Sequence, residues 1–509
     1  MVEASQSAAH ELELKFEFDR ADAGLIEAQP ALAASSAPPS ERRLISVYFD
    51  TDDFALRKAG VTLRVRDTGD RYVQTIKTAN GAELFDRLEW ECEIAGRKPD
   101  LEAARKTALE PLQDRQIRDA LRPIFETRID RRVYRLGRNG TEIEVALDWG
   151  EVATATRYRP VCELELELKR GEPAELFSLA RELSASVPLR LGVKTKAERG
   201  YALIGEDHDG AERAAPIQLD ADMACAEAFR AIAGSCLRQV VANEPAMCAG
   251  DAEALHQMRI GLRRLRAAIK AFADMAVGPE QERIKAELRW VTGALGPARD
   301  LDVFAAEVLE PLGKTKGEEA GFAEAHRAFM VRRAEAHRSA AGSVRSDRFR
   351  GILLDVAEWI EVGPWTVDPE LTRARERQAK EHAAVLLARL RKQIRRQDQP
   401  VKEFKPRQRH KLRIRAKALR YTIEFFASLF PGEKNQSRRK EALAALKELQ
   451  DGLGALNDLA TREALAARSH DLSDHAARLL RSGGDRVDRL LKRAQAAHDR
   501  FAKVKSFWK

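Results

Sequence analysis

The hydrophobic pattern of this sequence changes its period once, near residue 204. Up to that point apolar and polar residues often alternate, as in VTLRVR, RLEWECEI and VCELELELK, which is typical of half-buried strands. Beyond it the chain is rich in Ala, Leu, Arg and Glu at helical spacing almost to its end. Because 509 residues are also too many for one compact core, the sequence predicts a multidomain protein, with an α+β part of antiparallel strands followed by an all-α part.

A polar segment separates the two parts. Residues 205–218, GEDHDGAERAAPIQ, are mostly polar or small and include a proline, which is typical of a linker. We therefore expect one domain over residues 10–204 and a second over residues 219–509.

The helical part repeats itself. HQMRIGLRRLRAAIKAF, which starts at His256, is echoed by HKLRIRAKALRYTIEFF, which starts at His410. LGPARDL at Leu295 is likewise echoed by LGALNDL at Leu453. The two separations are nearly equal, 154 residues (410 − 256) and 158 residues (453 − 295). Duplication explains this ordered pair better than chance, and it predicts two pseudo-symmetric helical bundles over about 219–365 and 366–509.

Charge and cysteine content narrow the classes of function. The 88 Lys and Arg residues outnumber the 80 Asp and Glu residues, and the net charge of +8 favours polyanionic partners. Five cysteines lie far apart without a CxxC pair, which argues against a disulfide framework or a zinc site and suits a reducing compartment. The sequence shows neither a secretory leader nor a run of about eighteen apolar residues, so we expect a soluble cytoplasmic protein without a membrane partner.

The opening strand, HELELKFEF, carries charges on one face only. Its apolar residues Leu12, Leu14, Phe16 and Phe18 share the other face. One such strand most simply has its charged face in water, but the same split recurs in later strands. The residues on these charged faces are Glu11, Glu13, Lys15, Glu17, Arg64, Arg66, Arg87, Glu89, Glu91, Glu93, Glu144, Asp148, Glu163, Glu165, Glu167 and Lys169.

Adjacent carboxylates on one strand face repel each other unless water or a cation screens them. If the strands close into a barrel with these faces inward, the acids suit Mg²⁺ or Mn²⁺, and the neighbouring Arg and Lys side chains suit phosphate oxygens. Such a tunnel would hold a polyphosphate together with its metal ions. Alternation alone leaves the inward and outward orientations equally open.

The ordered motifs of the first part resemble the triphosphate tunnel metalloenzymes, or CYTH family. The resemblance covers roughly residues 10–203 and rests on ExExK at Glu11, then YFDT, LRVR, TIK, RLEWE, ALDWG, ELELELK and KTKAERGY. It implies a closed antiparallel β-barrel, usually of eight strands, that hydrolyses or transfers triphosphate compounds with a divalent metal. Within TRIDRR it favours Arg131 as the tunnel residue, with Arg128 and Arg132 as alternatives.

The same resemblance implies roles for individual residues, although each could instead form a structural ion pair. The catalytic residues would be Glu11, Glu13 and Lys15. Substrate phosphates would be bound by Lys15, Arg64, Arg66, Lys77, Arg87, Arg131 and Lys196. Metal ions would be bound by Glu11, Glu13, Glu89, Glu91, Asp148, Glu163 and Glu165.

The repeated helix carries a cationic stripe. Residues at offsets 0, 3, 7 and 10 from each histidine fall within an arc of about 80° on a helix, and apolar residues form a separate stripe. Such a stripe is often a solvated face whose charges pair with nearby acids, here Asp300, Asp302 or Asp458. A duplicated stripe also suits a long linear polyanion.

This second part resembles the CHAD domain, through the helix motif HxMRIxxRRLR in two copies and the LGxxRD-type segments. The resemblance implies helical bundles that bind inorganic polyphosphate. The second copy is weaker, because Ala418 stands at the place of Arg264 and Asn457 at that of Arg299. The residues implied in polyphosphate binding are His256, Arg259, Arg263, Arg264, Arg266, His410, Arg413, Lys417 and Arg420.

Together these features predict a metal-dependent inorganic triphosphatase that releases pyrophosphate and phosphate, with Mg²⁺ or Mn²⁺ as cofactor. The CHAD domain would recruit polyphosphate or locate the enzyme on polyphosphate granules. ATP, thiamine triphosphate, an RNA 5′ triphosphate and adenylate cyclisation remain alternative reactions, and a non-catalytic polyphosphate scaffold remains an alternative function. Specific nucleic-acid binding is not expected, since the sequence has neither a basic stripe interleaved with aromatics nor a DNA-binding signature.

Overall fold

The computed structural model describes residues 9–10, 12–78, 88–205, 210–311, 322–397, 399–468 and 484–508. Strands of the first part pair antiparallel in a single sheet. The strands are β1 Ala9–His10, β2 Glu13–Glu17, β3 Ser40–Asp50, β4 Val61–Asp67, β5 Tyr72–Thr78, β6 Leu88–Ile94, β7 Arg122–Arg138, β8 Thr141–Ala153, β9 Tyr158–Arg170 and β10 Arg190–Leu191.

The strand order is β1-β6-β5-β4-β3-β7-β8-β9-β2-β10. The antiparallel architecture is confirmed, but the expected full closure of the barrel is corrected. Within the described residues β1 and β10 are the two edges of an open, tunnel-like sheet, and β1 pairs with β6 whereas β2 pairs with β9. Both edge strands are only two residues long, so neither offers enough backbone donors and acceptors for a continuous closing ladder.

Alternation in the strands separates an apolar face from a charged one. Leu14, Phe16 and Phe18 are almost completely buried, and so are Leu176 and Phe177 of a helix that contacts β9. The apolar core therefore lies on the outer side of the sheet, between the strands and the helices that cover them. These helices are α1 Ala23–Glu27, α2 Pro30–Ala33, α3 Ala55–Lys58, α4 Leu101–Arg105, α5 Glu110–Gln113, α6 Arg115–Asp119, α7 Pro173–Ser184 and α8 Lys196–Ile204.

Beyond residue 218 the described chain is helical, as predicted. A π-helical turn, Ala305–Leu309, continues one of the helices. The helices are α9 Cys225–Ala242, α10 Glu244–Cys248, α11 Ala252–Ala271, α12 Pro279–Ala294, α13 Gly296–Phe304, α14 Phe322–Val344, α15 Asp347–Val362, α16 Thr372–Glu376, α17 Ala379–Arg395, α18 Pro406–Phe425, α19 Glu433–Arg468 and α20 Gly484–Lys503.

The internal repeat is also visible in packing. Arg259 of α11 lies beside Gly296, and Arg413 of α18 lies beside Gly454, so that a Cβ at either glycine would be 3.8 or 3.4 Å from the guanidinium. Gly296 and Gly454 are the equivalent glycines of LGPARDL and LGALNDL. Each copy therefore makes the same arginine-to-glycine contact between its two characteristic motifs.

The chain divides into two compact units. The first contains residues up to Ala214 together with Gly234–Met258 and Val344–Pro364. The second contains Ala215–Ala233, Arg259–Ser343 and Trp365–Lys509. All five cysteines are free thiols. No helix in the described part of the chain combines the length and the apolar character that crossing a membrane requires.

Candidate active site

Strand register brings charged side chains into rows across the sheet. Arg131 of β7 lies opposite Asp148 of β8, and Asp148 lies opposite Glu163 of β9. Glu163 in turn lies opposite Glu17 of β2. Because directly opposite residues on neighbouring strands have Cβ atoms about 5 Å apart, charges far apart in the sequence become contact neighbours.

Three carboxylates form the centre of the site. Asp148, Glu163 and Glu165 offer oxygens that all lie within 4.8 Å of one another. The ammonium of Lys196 lies 2.9, 2.5 and 2.8 Å from oxygens of these three residues. Asp148 and Glu163 are 0% exposed, so this positive charge compensates acids that water cannot reach.

Arg131 and Lys15 are further cations of the cluster. Arg131 donates two hydrogen bonds of 2.7 Å to Asp148 and a third of 2.5 Å to Glu165. Lys15 lies 3.1 Å from Glu165 and 3.9 Å from Glu163. The forked Arg131–Asp148 contact fixes orientation as well as distance.

Opposite charges determine the protonation states within this cluster. Burial disfavours a charge on Asp148, but Lys196 and Arg131 outweigh it and hold the pKa of Asp148 below its ordinary value. The pKa of Glu165 is held well below its ordinary value against burial by Lys196, Lys15 and Arg131. Conversely, nearby carboxylates overcome burial and hold the pKa of Lys196 and of Arg131 well above the ordinary values. These groups are therefore charged at neutral pH.

A second wall of charges is built by β4, β5 and β6. Arg64 lies opposite Thr75, and Thr75 lies opposite Glu91 and donates it a hydrogen bond of 2.8 Å. The guanidinium of Arg64 is 3.7 Å from Glu89 and 3.9 Å from Glu91. Lys77 forms an ion pair with Glu89. This wall is thus less densely paired than the Lys196 cluster.

Arg66 differs from the other cations of the site. It donates a hydrogen bond of 3.3 Å to Ser46 and forms no ion pair with a carboxylate in the described part of the chain. Burial and the neighbouring Arg64 and Arg131 lower the pKa of Arg66 to about 10. A cation held among other cations without an acid partner is suited to receive an anion.

A row of acids lies beside the cluster. Glu13 is opposite Glu167, and Glu167 is opposite Glu144. Lys15 is 3.7 Å from Glu13, yet the buried Oε1 atom of Glu13 has no hydrogen-bond donor among the described residues. Glu167 forms an ion pair with Lys169, and Glu144 lies 3.9 Å from Arg135. The Glu13 oxygen without a donor is therefore the position of this row that favours a bound cation.

Both walls and the acid row enclose one cavity of about 1760 Å³. Carboxylate oxygens are the ligands that Mg²⁺ and Mn²⁺ prefer, and the acid cluster together with the unsatisfied Glu13 oxygen therefore fits a divalent cation. In this structure the Lys196 ammonium supplies positive charge among the same acids. Side chains of the cavity wall include Glu13, Lys15, Tyr48, Arg64, Arg66, Lys77, Glu89, Glu91, Arg131, Glu165 and Lys196.

Close packing of α8 against β7 orients the start of α8 towards the acid cluster. A Cβ at Gly200 would lie 2.1 Å from the ring of Phe125, so only glycine lets the helix approach β7 this closely. The N-terminus of α8 is fixed by a capping box between Thr195 and Glu198. Lys196, the first residue of the helix, is thereby directed towards the acids.

The first cationic helix, α11, is arranged less uniformly than its sequence predicts. Arg259 donates a hydrogen bond of 2.9 Å to the carbonyl of Thr292 near the end of α12, whereas Arg266 is exposed. Arg264 is only 3% exposed and lies 5.6 Å above the ring of Phe425. Its offset of eight from His256 turns it about 80° to the other side of the helix, away from the stripe. Arg264, which the resemblance implied in polyphosphate binding, therefore packs in the interior.

Sequence models of two known domains match this chain. The CYTH domain matches residues 9–201, and the CHAD domain matches residues 231–467. The chain contains a CYTH domain followed by a CHAD domain. The resemblance inferred from the ordered motifs is thus confirmed.

Several known proteins are similar to parts of the chain. The inorganic triphosphatase of Haemophilus influenzae is 29% identical over 161 residues, which are 31% of this chain and 45% of that protein. The match thus spans less than half of that relative. The crystal structure of the CHAD domain from the plant Ricinus communis covers 58% of this chain and 97% of its own, with 29% identity and a TM-score of 0.46. A putative adenylyl cyclase from Hippeastrum, with a dominant triphosphatase activity, covers 38% of this chain and 95% of its own, with 18% identity and a TM-score of 0.27.

The structure brings most of the residues predicted for the CYTH domain into one cavity. Glu11 and Arg87 lie outside the described residues. The Lys196 side of the site contains Glu13, Lys15, Arg131, Asp148, Glu163, Glu165 and Lys196. The other wall contains Arg64, Arg66, Lys77, Glu89 and Glu91.

Register separates the three arginines of TRIDRR. Arg131 points to the CYTH cavity. Arg128 is exposed and forms ion pairs with Glu126 and Glu151, and Arg132 forms ion pairs with two acids outside the cavity. Of the three, only Arg131 shares a site with Asp148 and Glu165.

Sequence reasoning missed Arg199. It lies 3.2 Å from Glu163 and also forms an ion pair with Glu17, whose task the sequence left open. Burial opposes its charge, but Glu17 and Glu163 raise the pKa of Arg199. The available signal was helical spacing, since Arg199 follows Lys196 by three residues on the same face of α8.

Proposed function

We propose that the CYTH domain is a divalent-metal-dependent inorganic triphosphatase and that the CHAD domain binds inorganic polyphosphate. The supporting observation is one cavity whose walls combine a cluster of acids and cations with Arg66, a cation that has no acid partner among the described residues. Carboxylates suit a metal ion, and Arg and Lys side chains suit phosphate oxygens. A cavity with both therefore suits a polyphosphate that carries a bound metal ion. Similarity to an inorganic triphosphatase supports the choice of substrate.

A divalent cation would be held by Asp148, Glu163 and Glu165, with the Glu13 carboxylate beside it. The cation would neutralise charge on the phosphate oxygens. The other phosphate oxygens would be bound by Arg64, Arg66 and Lys77, which would keep the triphosphate extended. Water then attacks the terminal phosphorus in line with the bridging oxygen. A new P–O bond forms as the bridging P–O bond breaks, which leaves phosphate and pyrophosphate.

Glu13 is the residue suited to accept the proton that water loses. Its Oε1 atom has no hydrogen-bond donor in the described structure, whereas Glu165 is already bound by three cations. A carboxylate that is not saturated by donors is the better proton acceptor. The other three carboxylates, Asp148, Glu163 and Glu165, would contribute by holding the cation in place through their negative charge.

A substrate panel tests the catalytic proposal. We expect purified protein with Mg²⁺ or Mn²⁺ to release one phosphate from each tripolyphosphate, and a chelator to abolish the release. Turnover of pyrophosphate, ATP and thiamine triphosphate should be at least about tenfold slower. A site shaped for one substrate typically disfavours the transition state of a related substrate by about 1–3 kcal/mol or more. Faster turnover of ATP, or the appearance of cyclic nucleotide, would replace this proposal by another tunnel reaction. Absence of any turnover would favour a binding scaffold.

Binding competition tests the CHAD proposal. Arg263 and Arg266 belong to the cationic stripe of α11, and Lys380 is an exposed lysine of α17 that is not part of it. We expect long polyphosphate, but not DNA at matched salt, to displace a labelled polyphosphate. The double variant Arg263→Gln/Arg266→Gln should bind at least about tenfold more weakly, since each charge-assisted contact contributes more than 1 kcal/mol. Lys380→Gln should bind normally, and equal losses in both variants would argue for general attraction to net charge.

A further inference from the structure

The segment that carries Lys196 is held by side chains outside the CYTH sheet. Arg238 of α9 donates hydrogen bonds to the carbonyl of Val193 and to the carboxylate of Glu198. These acceptors flank Lys196 on both sides, three residues before it and two residues after it. Arg238 thus bridges the whole stretch from which the Lys196 side chain projects.

Glu198 connects Arg238 to the start of α8. Its Oε2 atom accepts hydrogen bonds of 2.8 and 2.9 Å from the backbone N–H and the hydroxyl of Thr195. Its other oxygen accepts the hydrogen bond from Arg238. A capping box satisfies backbone donors that the first helical turn leaves free, so Arg238 orients the side chain that defines where α8 begins.

A second contact reaches the same segment from residues 210–214. Lys194 lies 2.5 Å from Glu212. The backbone of Glu212 is held by Asn243, whose Oδ1 accepts from the Glu212 N–H at 2.9 Å and whose Nδ2 donates to the Glu212 carbonyl at 2.8 Å. Asn243 is 0% exposed and also donates to the carbonyl of Gln239. One buried amide therefore fixes both polar backbone atoms of the residue that pairs with Lys194.

These contacts matter because lysine has a flexible stem. The Lys196 ammonium lies within 3 Å of three carboxylates, and such geometry is maintained only if the backbone beneath the side chain is fixed. Burial against Phe125 restrains α8 on one side. Arg238 and Asn243 restrain its N-terminal approach, and both belong to the same compact unit as Lys196.

We propose that Arg238, through Val193 and Glu198, and Asn243, through Glu212 and Lys194, are positioning residues that hold Lys196 within the acid cluster. Neither touches the cluster itself. The helical segment 234–258 then contributes to catalysis by fixing the tunnel wall. The kinetic part of this inference rests on the proposed triphosphatase function, whereas the structural part does not.

A matched pair of arginine variants tests the inference. Arg181 of α7 also reaches a helix of the same unit, where it donates hydrogen bonds to Asp355 and Glu358 of α15, but it does not contact residues 193–198. Arg238→Ala is expected to accelerate amide hydrogen exchange in residues 194–199 at least about threefold, and Arg181→Ala is expected to leave it unchanged. Turnover should fall about tenfold in kcat/KM for tripolyphosphate in Arg238→Ala only. Arg238→Lys should restore part of both properties, because one of the two hydrogen bonds can re-form.

The outcomes separate this inference from the proposed function. If the wild-type protein does not hydrolyse tripolyphosphate, the proposed function fails, and the exchange comparison still decides whether Arg238 holds the Lys196 segment. Unchanged exchange over residues 194–199 in Arg238→Ala, or equal acceleration in Arg181→Ala, overturns the inference. Should Arg238→Ala fail to fold, Lys194→Ala breaks the Glu212 contact from a partly exposed position and must give the same local acceleration.

Discussion

Glu13→Gln is expected to lower the metal-dependent hydrolysis of tripolyphosphate by about 10²–10³-fold while leaving the melting temperature nearly unchanged. Among the described residues Glu13 forms an ion pair with Lys15, at 3.7 Å, and its side chain is 32% exposed. Replacing the carboxylate by an amide therefore removes little structural interaction. It does remove an oxygen that is suited to accept a proton or bind a cation.

The measurement combines steady-state kinetics with a titration of Mn²⁺ binding, which does not depend on turnover. Glu142→Gln is the matched control, because Glu142 is an exposed acid of β8 that pairs with Arg170. We expect weaker Mn²⁺ binding in Glu13→Gln and normal binding in Glu142→Gln. Full activity with normal Mn²⁺ affinity in Glu13→Gln would refute the role assigned to Glu13.

Arg66→Gln is expected to weaken tripolyphosphate binding by about 10- to 100-fold, because a hydrogen bond to a charged group contributes about 1.5–3 kcal/mol. The same substitution should leave the melting temperature unchanged or raise it. In the folded protein Arg66 lies among other cations without an acid partner in the described chain, and its pKa is lowered to about 10. Removing an unfavourable charge relieves repulsion, whereas removing a structural ion pair would destabilise the fold.

Calorimetric titration with tripolyphosphate and thermal unfolding without ligand measure the two effects separately. Arg128→Gln serves as the control, since Arg128 is an exposed arginine of β7 that pairs with Glu126 and Glu151. It should bind tripolyphosphate normally. A lower melting temperature together with unchanged affinity in Arg66→Gln would show that Arg66 is a structural residue and not a phosphate ligand.

Much of the candidate site was predictable because strands alternate. Period two places Glu13 and Lys15 on one face and Leu14 on the other, whatever the rest of the chain does. It does not say which face is enclosed. In the structure the apolar residue is buried beneath the covering helices, and the charged residues line a cavity.

Other assignments depended on register. TRIDRR contains three arginines, and only the pairing of β7 with β8 places Arg131 opposite Asp148. A shift of one residue would have presented a different arginine to the cavity. Full barrel closure was expected from the family resemblance, but it depends on the length of the edge strands, which alternation does not determine.

Helical spacing in the CHAD domain predicted some features of the structure and not others. It separated an apolar stripe from a cationic one, and it also located the repeat that the Gly296 and Gly454 contacts reproduce. It did not reveal that Arg264 is buried over Phe425, because that ring comes from a helix about 160 residues away in the sequence. Arg199 and Arg238 were missed for the same reason, since each acquires its partners only through packing.

The sequence by itself determined the alternation of the strands, the order of the CYTH motifs, the duplication of the CHAD helix and the identities of most charged residues in the cavity. These properties are local, or they repeat along the chain. The tertiary structure decided which strand face is enclosed, which arginine of TRIDRR meets Asp148, and how Arg238 and Asn243 hold the segment of Lys196. Such relations join residues distant in sequence, and their geometry is set by strand register and helix packing, which no local pattern specifies.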